Sequence, residues 1–509
     1  MPIKSNTKNK SISTATARSH QYRSGTGIKG LDLILGGGFP KERIYLIHGG
    51  PGTGKTTLSF QFLLEGTHRG EKVLYITLLQ SKAELEDVTK SHGWSLKNIN
   101  VVELPEKLDD TATIEQTLFS PSEVELSKVT DDIIRAIEKY KPQRFALDSV
   151  SELSVLVESS YQLRRQLLKL KKVLQKNKCT TIITAGETIG EDIASIQTIV
   201  NGVIKLNQQA PAYGNAHRQL EVTKMRGMSY QGGLHDIRIR TGGIEVFPRI
   251  QLTDQKYKIG KRIVASGNSD IDTLLGRGLE MGTSCLITGT TGAGKSTLAS
   301  VYVEAAAKRK EHSAIFCFDE RTETFMHRCK GLGINIKDFI EKGFVNLRQI
   351  NVGEHSPGEF TQMVRQSVEQ DNARVVVIDS LTGYLASMPG EKQLIAQLHE
   401  LLSYLSAAGV LSLMIVVTHT TTGNAQTSID ASYLADTVVL LRHFEAMGAM
   451  RRCISVIKKR HGKHESTIRE LQIDSTGIHL GPALKEFSGV LTGTPKYEGT
   501  PEQLIKETK

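Results

Sequence analysis

Short apolar runs recur along the chain, each stopping at glycine or at a polar residue. RIYLIH (43–48), VLYITLL (73–79) and RFALD (144–148) in the first half are echoed by SCLIT (284–288), SAIFCF (313–318) and VVVID (375–379) in the second. Runs of this length and β-rich composition predict strands buried on both faces. Between them lie stretches with apolar residues three and four apart, such as RRQLLKLKKVLQK (164–176) and KQLIAQLHELLSYLSAAG (392–409), which predict amphipathic helices. Alternating strands and helices of this kind predict an α/β fold, a mostly parallel sheet with helices on both faces.

The pattern occurs twice because the sequence does. GIKGLDLILGGGFPKERIYLIHGGPGTGKTTL (27–58) matches GNSDIDTLLGRGLEMGTSCLITGTTGAGKSTL (267–298) without a gap, so that Lys55 pairs with Lys295 at a shift of 240 positions. The register then drifts: RFALDSV (144–150) returns as VVVIDSL (375–381), and VTKMRG (222–227) as VIKKRH (456–461). Two domains are expected, 25–247 and 261–485, with a polar linker over 248–260 and a tail over 486–509. Residues 1–24 hold Lys4, Lys8, Lys10, Arg18 and Arg23 and no acid. A segment of that composition cannot bury a core, so a disordered, solvated tail is expected there rather than a nucleic-acid arm, which would interleave aromatics for base stacking.

Composition narrows the class. The chain has 509 residues, 39% hydrophobic and 23% charged, with a net charge of +10, part of it in that basic tail. No apolar run approaches the ~18 residues of a membrane-spanning helix, and the N-terminus lacks the apolar core of a secretory signal. Five cysteines, Cys179, Cys285, Cys317, Cys329 and Cys453, contain no CxxC pair and fall in apolar or helical stretches, as buried reduced thiols do. A cytoplasmic protein with no membrane partner is expected.

GGPGTGKT (49–56) and GTTGAGKS (289–296) both fit GxxxxGK[ST], each between a predicted strand and a predicted helix. In such a loop glycines let the backbone wrap a phosphate, and its N–H groups and the helix N-terminus donate to the anion. The nucleotide-binding candidates are therefore Gly49, Gly52, Thr53, Gly54, Lys55, Thr56 and Thr57, and Gly289, Thr290, Gly292, Ala293, Gly294, Lys295, Ser296 and Thr297. Lys55 and Lys295 reach the β and γ phosphates of ATP, and the Thr56 and Ser296 hydroxyls ligate Mg²⁺. Asp148 and Asp379, each ending an apolar strand, would hold the same metal through water, as a Walker B carboxylate does.

The tandem loops, the LDLILGGGF/IDTLLGRGL lead-in, the DSV/DSL strand ends and the KMRG element resemble the KaiC family of circadian clock proteins across nearly all of 25–500. The resemblance implies two RecA-like P-loop domains, a homohexamer of two stacked rings, and ATP at the subunit interfaces. It also implies a first ring that hydrolyses ATP and binds a KaiB-like partner, and a second ring that transfers phosphate to its own hydroxyls and removes it again. The family's K-x-R element, which reaches ATP of the neighbouring subunit, matches Lys224 and Arg226, and Lys458 and Arg460. Its acceptor segment matches NAQTSIDASYLADTVVLL (424–441), with Ser432 at the first acceptor and Tyr433 where threonine is expected. A phenol is longer than a threonine hydroxyl and does not share its in-line geometry, so Ser432 is the principal acceptor, with Thr427 and Ser428 nearby. FSGVLTGTPKYEG (487–499) resembles the looped C-terminal segment that the activator KaiA binds in cyanobacterial members, over a short stretch only.

The two copies differ at one point of chemistry. Asp319 and Glu320 stand 24 and 25 residues after Lys295, whereas Leu79 and Gln80 stand 24 and 25 after Lys55. In the family paired glutamates occupy this strand end, beside the γ phosphate, where a carboxylate orients or deprotonates the attacking oxygen. Catalysis is therefore assigned to Lys295, Asp319 and Glu320, and the first domain is expected to bind ATP and turn it over more slowly. Glu84 or Glu86 is the alternative base for the first site. Two rival readings are a RecA-type DNA-dependent ATPase or recombinase, and a signalling scaffold whose nucleotides are largely structural. The first lacks a helix-hairpin-helix or zinc-ribbon pattern, so nucleic acid is not the expected partner. A role in circadian-type or stress signalling fits the resemblance.

Overall fold

The computed structural model describes residues 22–104, 121–155, 159–187, 191–210, 214–251, 262–351, 353–387, 391–418, 432–446, 448–491 and 495–499. The chain divides into two compact units that part between Arg249 and Ile250.

The first unit is built on a nine-stranded sheet. Its strands in chain order are β1 (Ile44–Gly49), β2 (Val73–Thr77), β3 (Asn100–Glu103), β4 (Arg144–Asp148), β5 (Thr180–Ala185), β6 (Gly202–Gln209), β7 (His217–Met225), β8 (Leu234–Arg240) and β9 (Gly243–Phe247). Across the sheet they lie β9-β8-β7-β6-β1-β5-β4-β2-β3. Strands β1 to β6 pair in parallel, whereas β7, β8 and β9 extend the β6 edge as antiparallel hairpins. The all-apolar strands behave as their composition dictates. Tyr45 and Ile47 enter the core on one face and Ile44 and Leu46 the core on the other, the alternation of a strand covered on both sides. The predicted helix at 164–176 is Ser160–Lys176, with Leu163, Leu167, Leu170 and Leu174 turned into the second of these cores.

The second unit repeats the plan. Strands β10 (Ser284–Gly289), β11 (His312–Cys317), β12 (Val345–Gln349), β13 (Ala373–Asp379), β14 (Leu411–Val417), β15 (Thr437–Ala446), β16 (Ala449–Lys459), β17 (Arg469–Asp474) and β18 (Gly477–Ala483) form a nine-stranded sheet in the order β12-β11-β13-β14-β10-β15-β16-β17-β18. The helix read at 392–409 is Glu391–Ala407, which buries Leu394, Leu398, Leu401, Leu402 and Leu405. The α/β class expected from the pattern is the one observed.

Two short segments carry more order than composition suggests. Arg23–Ser24, assigned above to the N-terminal tail, pairs with Phe39–Pro40, and Ser24 is buried. The segment after residue 486 begins as packed structure: Phe487–Ser488 pairs with Lys496–Tyr497, and Val490 enters a small core with Phe444, Ala446 and Cys453. All five cysteines are buried free thiols. Among the described residues no helix is long and apolar enough to cross a membrane.

Candidate nucleotide sites

Each GxxxxGK[ST] loop joins the sheet's central strand to a helix, β1 to Lys55–His68 and β10 to Lys295–Lys308. Gly54 and Gly294 cap these helices with φ of 101° and 102°, a left-handed conformation that glycine adopts without strain. Gly49 and Gly289 are held to glycine by packing, since a Cβ would stand 2.2 Å from the Leu206 carbonyl oxygen and 1.9 Å from that of Leu441. Thr53 donates from Oγ1 to the Gly50 carbonyl at 2.8 Å, and Thr57, Thr290 and Thr297 are buried. Ala293 stands fully buried where the first loop has Thr53.

The two lysines turn back into their loops. Lys55 Nζ donates to the carbonyls of Gly49 and Gly50 at 2.8 and 2.9 Å, and Lys295 Nζ to that of Thr290 at 2.7 Å. Burial lowers the pKa of Lys55 and brings Lys295 down to about 8, against the opposing pull of Asp379 and Asp319 in the second site.

Asp148 stands beside Thr56, whose Oγ1 donates to it at 2.6 Å, and Ser296 hydrogen-bonds Asp379 in the same way. A hydroxyl beside a carboxylate is an oxygen donor set that fits Mg²⁺, an ion that would draw its remaining ligands from phosphate oxygens and water. Among the described residues no group of three or more His, Cys, Asp or Glu could hold a metal by itself. The surroundings of the two aspartates differ. Asp148 accepts further from Tyr75 Oη at 2.7 Å and from Thr184 Oγ1 at 2.6 Å. The equivalent positions in the second unit are Ile315 and Ile415, and burial raises the pKa of Asp379.

The second loop opens into a cavity of about 610 Å³ lined by Lys295, Ser296, Asp319, Glu320, Arg328 and Asp379, among others. Asp319 accepts from the Ser380 hydroxyl next to Asp379. Glu320 accepts from Arg328 Nε at 3.3 Å and Nη2 at 2.9 Å. The three acids named from the strand ends are thus brought together. In the first unit Leu79 is 68% exposed, and the Gln80 backbone closes a turn on Thr77. Glu84 and Glu86 are committed elsewhere, Glu84 to a capping box with Ser81 and Glu86 to an ion pair with Lys90.

The K-x-R residues do not approach the phosphate loop of their own unit. Lys224 pairs in register with Val203 near the start of β6, at the end of the sheet opposite Gly49, and its Nζ donates to the carbonyls of Gln197 and Val200. Arg226 donates to the Thr198 carbonyl at 3.2 Å. In the second unit Lys458 donates to the carbonyls of Ser432 and Ala435 at 3.0 and 2.8 Å, and Arg460 to Asp436 and the Tyr433 carbonyl at 3.2 and 3.0 Å. Ser432 is half-buried in the turn before β15, and Tyr433 is 54% exposed. Thr427 and Ser428 lie outside the described residues.

Several groups at these sites escaped the sequence reading. Arg218 Nε donates to the Gly52 carbonyl and Arg452 Nε to the Gly292 carbonyl, both at 3.1 Å, so an arginine from the next antiparallel strand touches each loop. Arg328, Tyr75 and Thr184 were missed too. The repeat held a signal for the first of these, since Arg328 stands where the first copy has Val88.

Two nine-stranded, mostly parallel sheets, each with a GxxxxGK[ST] loop on its central strand and an aspartate ending a nearby one, define a tandem RecA-like P-loop ATPase. The family model described as "ATPase: KaiC" matches residues 24–251 and again 264–485. The chain belongs to the KaiC family. It is 27% identical to circadian clock protein KaiC3 of Synechocystis sp., over 94% of this chain and 95% of that one. It is also 27% identical to the circadian clock oscillator protein KaiC of Synechococcus elongatus, over 92% of this chain and 91% of that protein. With the KaiC of Acaryochloris marina the identity is 26%, over 92% and 90%.

Proposed function

We propose that this protein is an ATP-hydrolysing ring whose second site also transfers phosphate to a serine hydroxyl of the ring itself and removes it again, in circadian-type or stress signalling. The observation that carries this reading is the cavity where Asp319, Glu320 and Asp379 face Lys295 and Ser296. Lys295 binds the β and γ phosphates, and Ser296 and Asp379 would hold Mg²⁺, which would supply charge neutralisation at the transferred group. Asp319 or Glu320 orients the attacking oxygen and takes its proton. Thr56 and Asp148 serve Mg²⁺ in the first site, which has no carboxylate at Leu79–Gln80 and turns ATP over more slowly.

Activity requires assembly. Lys224, Arg226, Lys458 and Arg460 lie away from their own loops, so they serve the ATP of another subunit in a homohexamer. A KaiB-like partner on the first ring belongs to this reading. The scaffold alternative draws on the same Leu79–Gln80 pair, which would make the first ring an ATP-locked platform.

Phosphosite mapping by mass spectrometry after incubation with Mg-ATP, together with native mass, tests the proposal. Phosphate on Ser432 of a hexamer is expected. Phosphate found only elsewhere, or none on an assembled ring, sinks the autokinase assignment.

A further inference from the structure

We propose that Glu187 is the working carboxylate of the first nucleotide site, taking the proton of the attacking water from a strand end different from the one used in the second site. This rests on the reading of the first site as a slow ATPase.

The topology favours that position. Glu187 follows β5, which lies between the loop strand β1 and the Asp148 strand β4, next to both. Leu79 and Gln80 follow β2, beyond β4. The end of β5 is anchored, because the Gly186 N–H donates to Ser151 Oγ at 2.8 Å, just past the Asp148 turn. From there the Glu187 carboxylate reaches the phosphate loop: its Oε2 stands 3.5 Å from where a Cβ on Gly50 would lie. Its charge acts on Lys55, opposing the effect of burial on that ammonium.

The second site is built the other way round. Strand register pairs His48 with Ala185 and Thr288 with Val416, so Gly50 corresponds to Thr290 and Glu187 to Thr418. Thr290 carries a side chain where Gly50 has none, and its hydroxyl meets His443 Nδ1 at 3.0 Å. Each site thus holds a carboxylate beyond its Asp148 or Asp379: the second at the end of β11, the first at the end of β5. Glu84 caps its helix and Glu86 pairs with Lys90, whereas Glu187 faces the first loop alongside Asp148.

In the step assigned to it, the water oxygen bonds to the γ phosphorus and the bond from that phosphorus to the β–γ bridging oxygen breaks. ADP leaves with the bond's electron pair, and Glu187 takes the proton that the water gives up.

The test measures Glu187→Gln in the full-length chain carrying Lys295→Ala, so that turnover comes from the first site. Hydrolysis of radiolabelled Mg-ATP is followed with protein in excess, ATP affinity by a fluorescent ATP analogue, and assembly by native mass. The expected result is a rate at least tenfold lower, with affinity within threefold of the parent and the same assembly. A rate within twofold of the parent overturns the proposal. So does a fall in affinity that parallels the rate, or a parent that hydrolyses no ATP above background. The comparison of Lys55→Ala with Lys295→Ala, which tests whether the second site dominates, can fail without touching this result.

Discussion

Arg328 grips Glu320 through two nitrogens on the wall of the second nucleotide cavity, at 2.9 and 3.3 Å, and the first unit replaces both partners, with Val88 and Gln80. A charged pair in one copy is an uncharged pair in the other, so the carboxylate and the residue that orients it differ together. Hydrogen bonds from a guanidinium to a carboxylate are charge-assisted and fix the plane of both groups.

Arg328 is therefore expected to act through Glu320. Arg328→Ala should lower second-site turnover by about tenfold while leaving ATP affinity close to that of the parent, because a carboxylate free to rotate meets the attacking oxygen less often. Glu320→Gln should cost about as much or more. The double variant should be no slower than Glu320→Gln alone, since residues acting as a unit are not additive. Steady-state kcat and KM for the three variants check this, and additive losses would rule it out.

The second site should also dominate the chain's ATPase. General-base assistance contributes about 10²–10⁴-fold, which bounds the gap between a site with a well-placed pair and one without. Lys295→Ala is expected to remove most of the turnover and Lys55→Ala little, provided native mass finds both variants assembled. The opposite ranking would move the principal ATPase to the first ring.

How much of this was legible in the sequence depends on the range of each contact. The loops at 49–56 and 289–296 are local: their glycines, lysine and hydroxyl sit within eight residues, and strand and helix flank them in the chain. Asp148 and Asp379 were legible as strand ends because the apolar run stops there. The hydroxyls around Asp148 were not, since Tyr75 and Thr184 lie on two different neighbouring strands, and only the sheet order brings them together. Glu187 was hidden for the same reason. Aligning it with Thr418 requires the register of β5 and β14 on their central strands, because sequence drift had erased the match. The pairings of Arg23–Ser24 and Phe487–Ser488 were missed because two-residue pairings leave no periodicity to read.

Tyr75 offers a test of that concealed network. Its ring is buried and stacks on Phe60 at 4.5 Å, while its hydroxyl donates to Asp148. Tyr75→Phe keeps the stack and removes the donor. Losing a hydrogen bond to a charged group costs about 1.5–3 kcal/mol, which in a unit of this size is a fall of about 3–12 °C in the first-unit transition. Calorimetry should resolve it, and second-site turnover should stay as it was. An unchanged Tm would mean that Thr56 and Thr184 alone satisfy the aspartate.

The last prediction concerns pH, and its sign follows from Lys295. Burial brings this ammonium down to about 8, so in nucleotide-free protein it is charged below that pH and increasingly neutral above it. The phosphates of ATP require the cation, so binding above pH 8 takes up a proton, and apparent affinity should fall by up to tenfold per pH unit. On the acid side burial raises the pKa of Asp379, so this carboxylate gains its proton, and Mg²⁺ loses its anchor, at higher pH than an ordinary aspartate would allow. Isothermal titration in the Lys55→Ala background, in buffers of different ionisation enthalpy, should detect proton uptake between pH 8 and 9.5. Lys295→Arg carries a cation that stays protonated throughout this range and should abolish the alkaline limb even where turnover is lost. An affinity flat from pH 7 to 9.5 in the lysine protein would place the titration of Lys295 outside that window and remove the basis for a pH-sensitive second site.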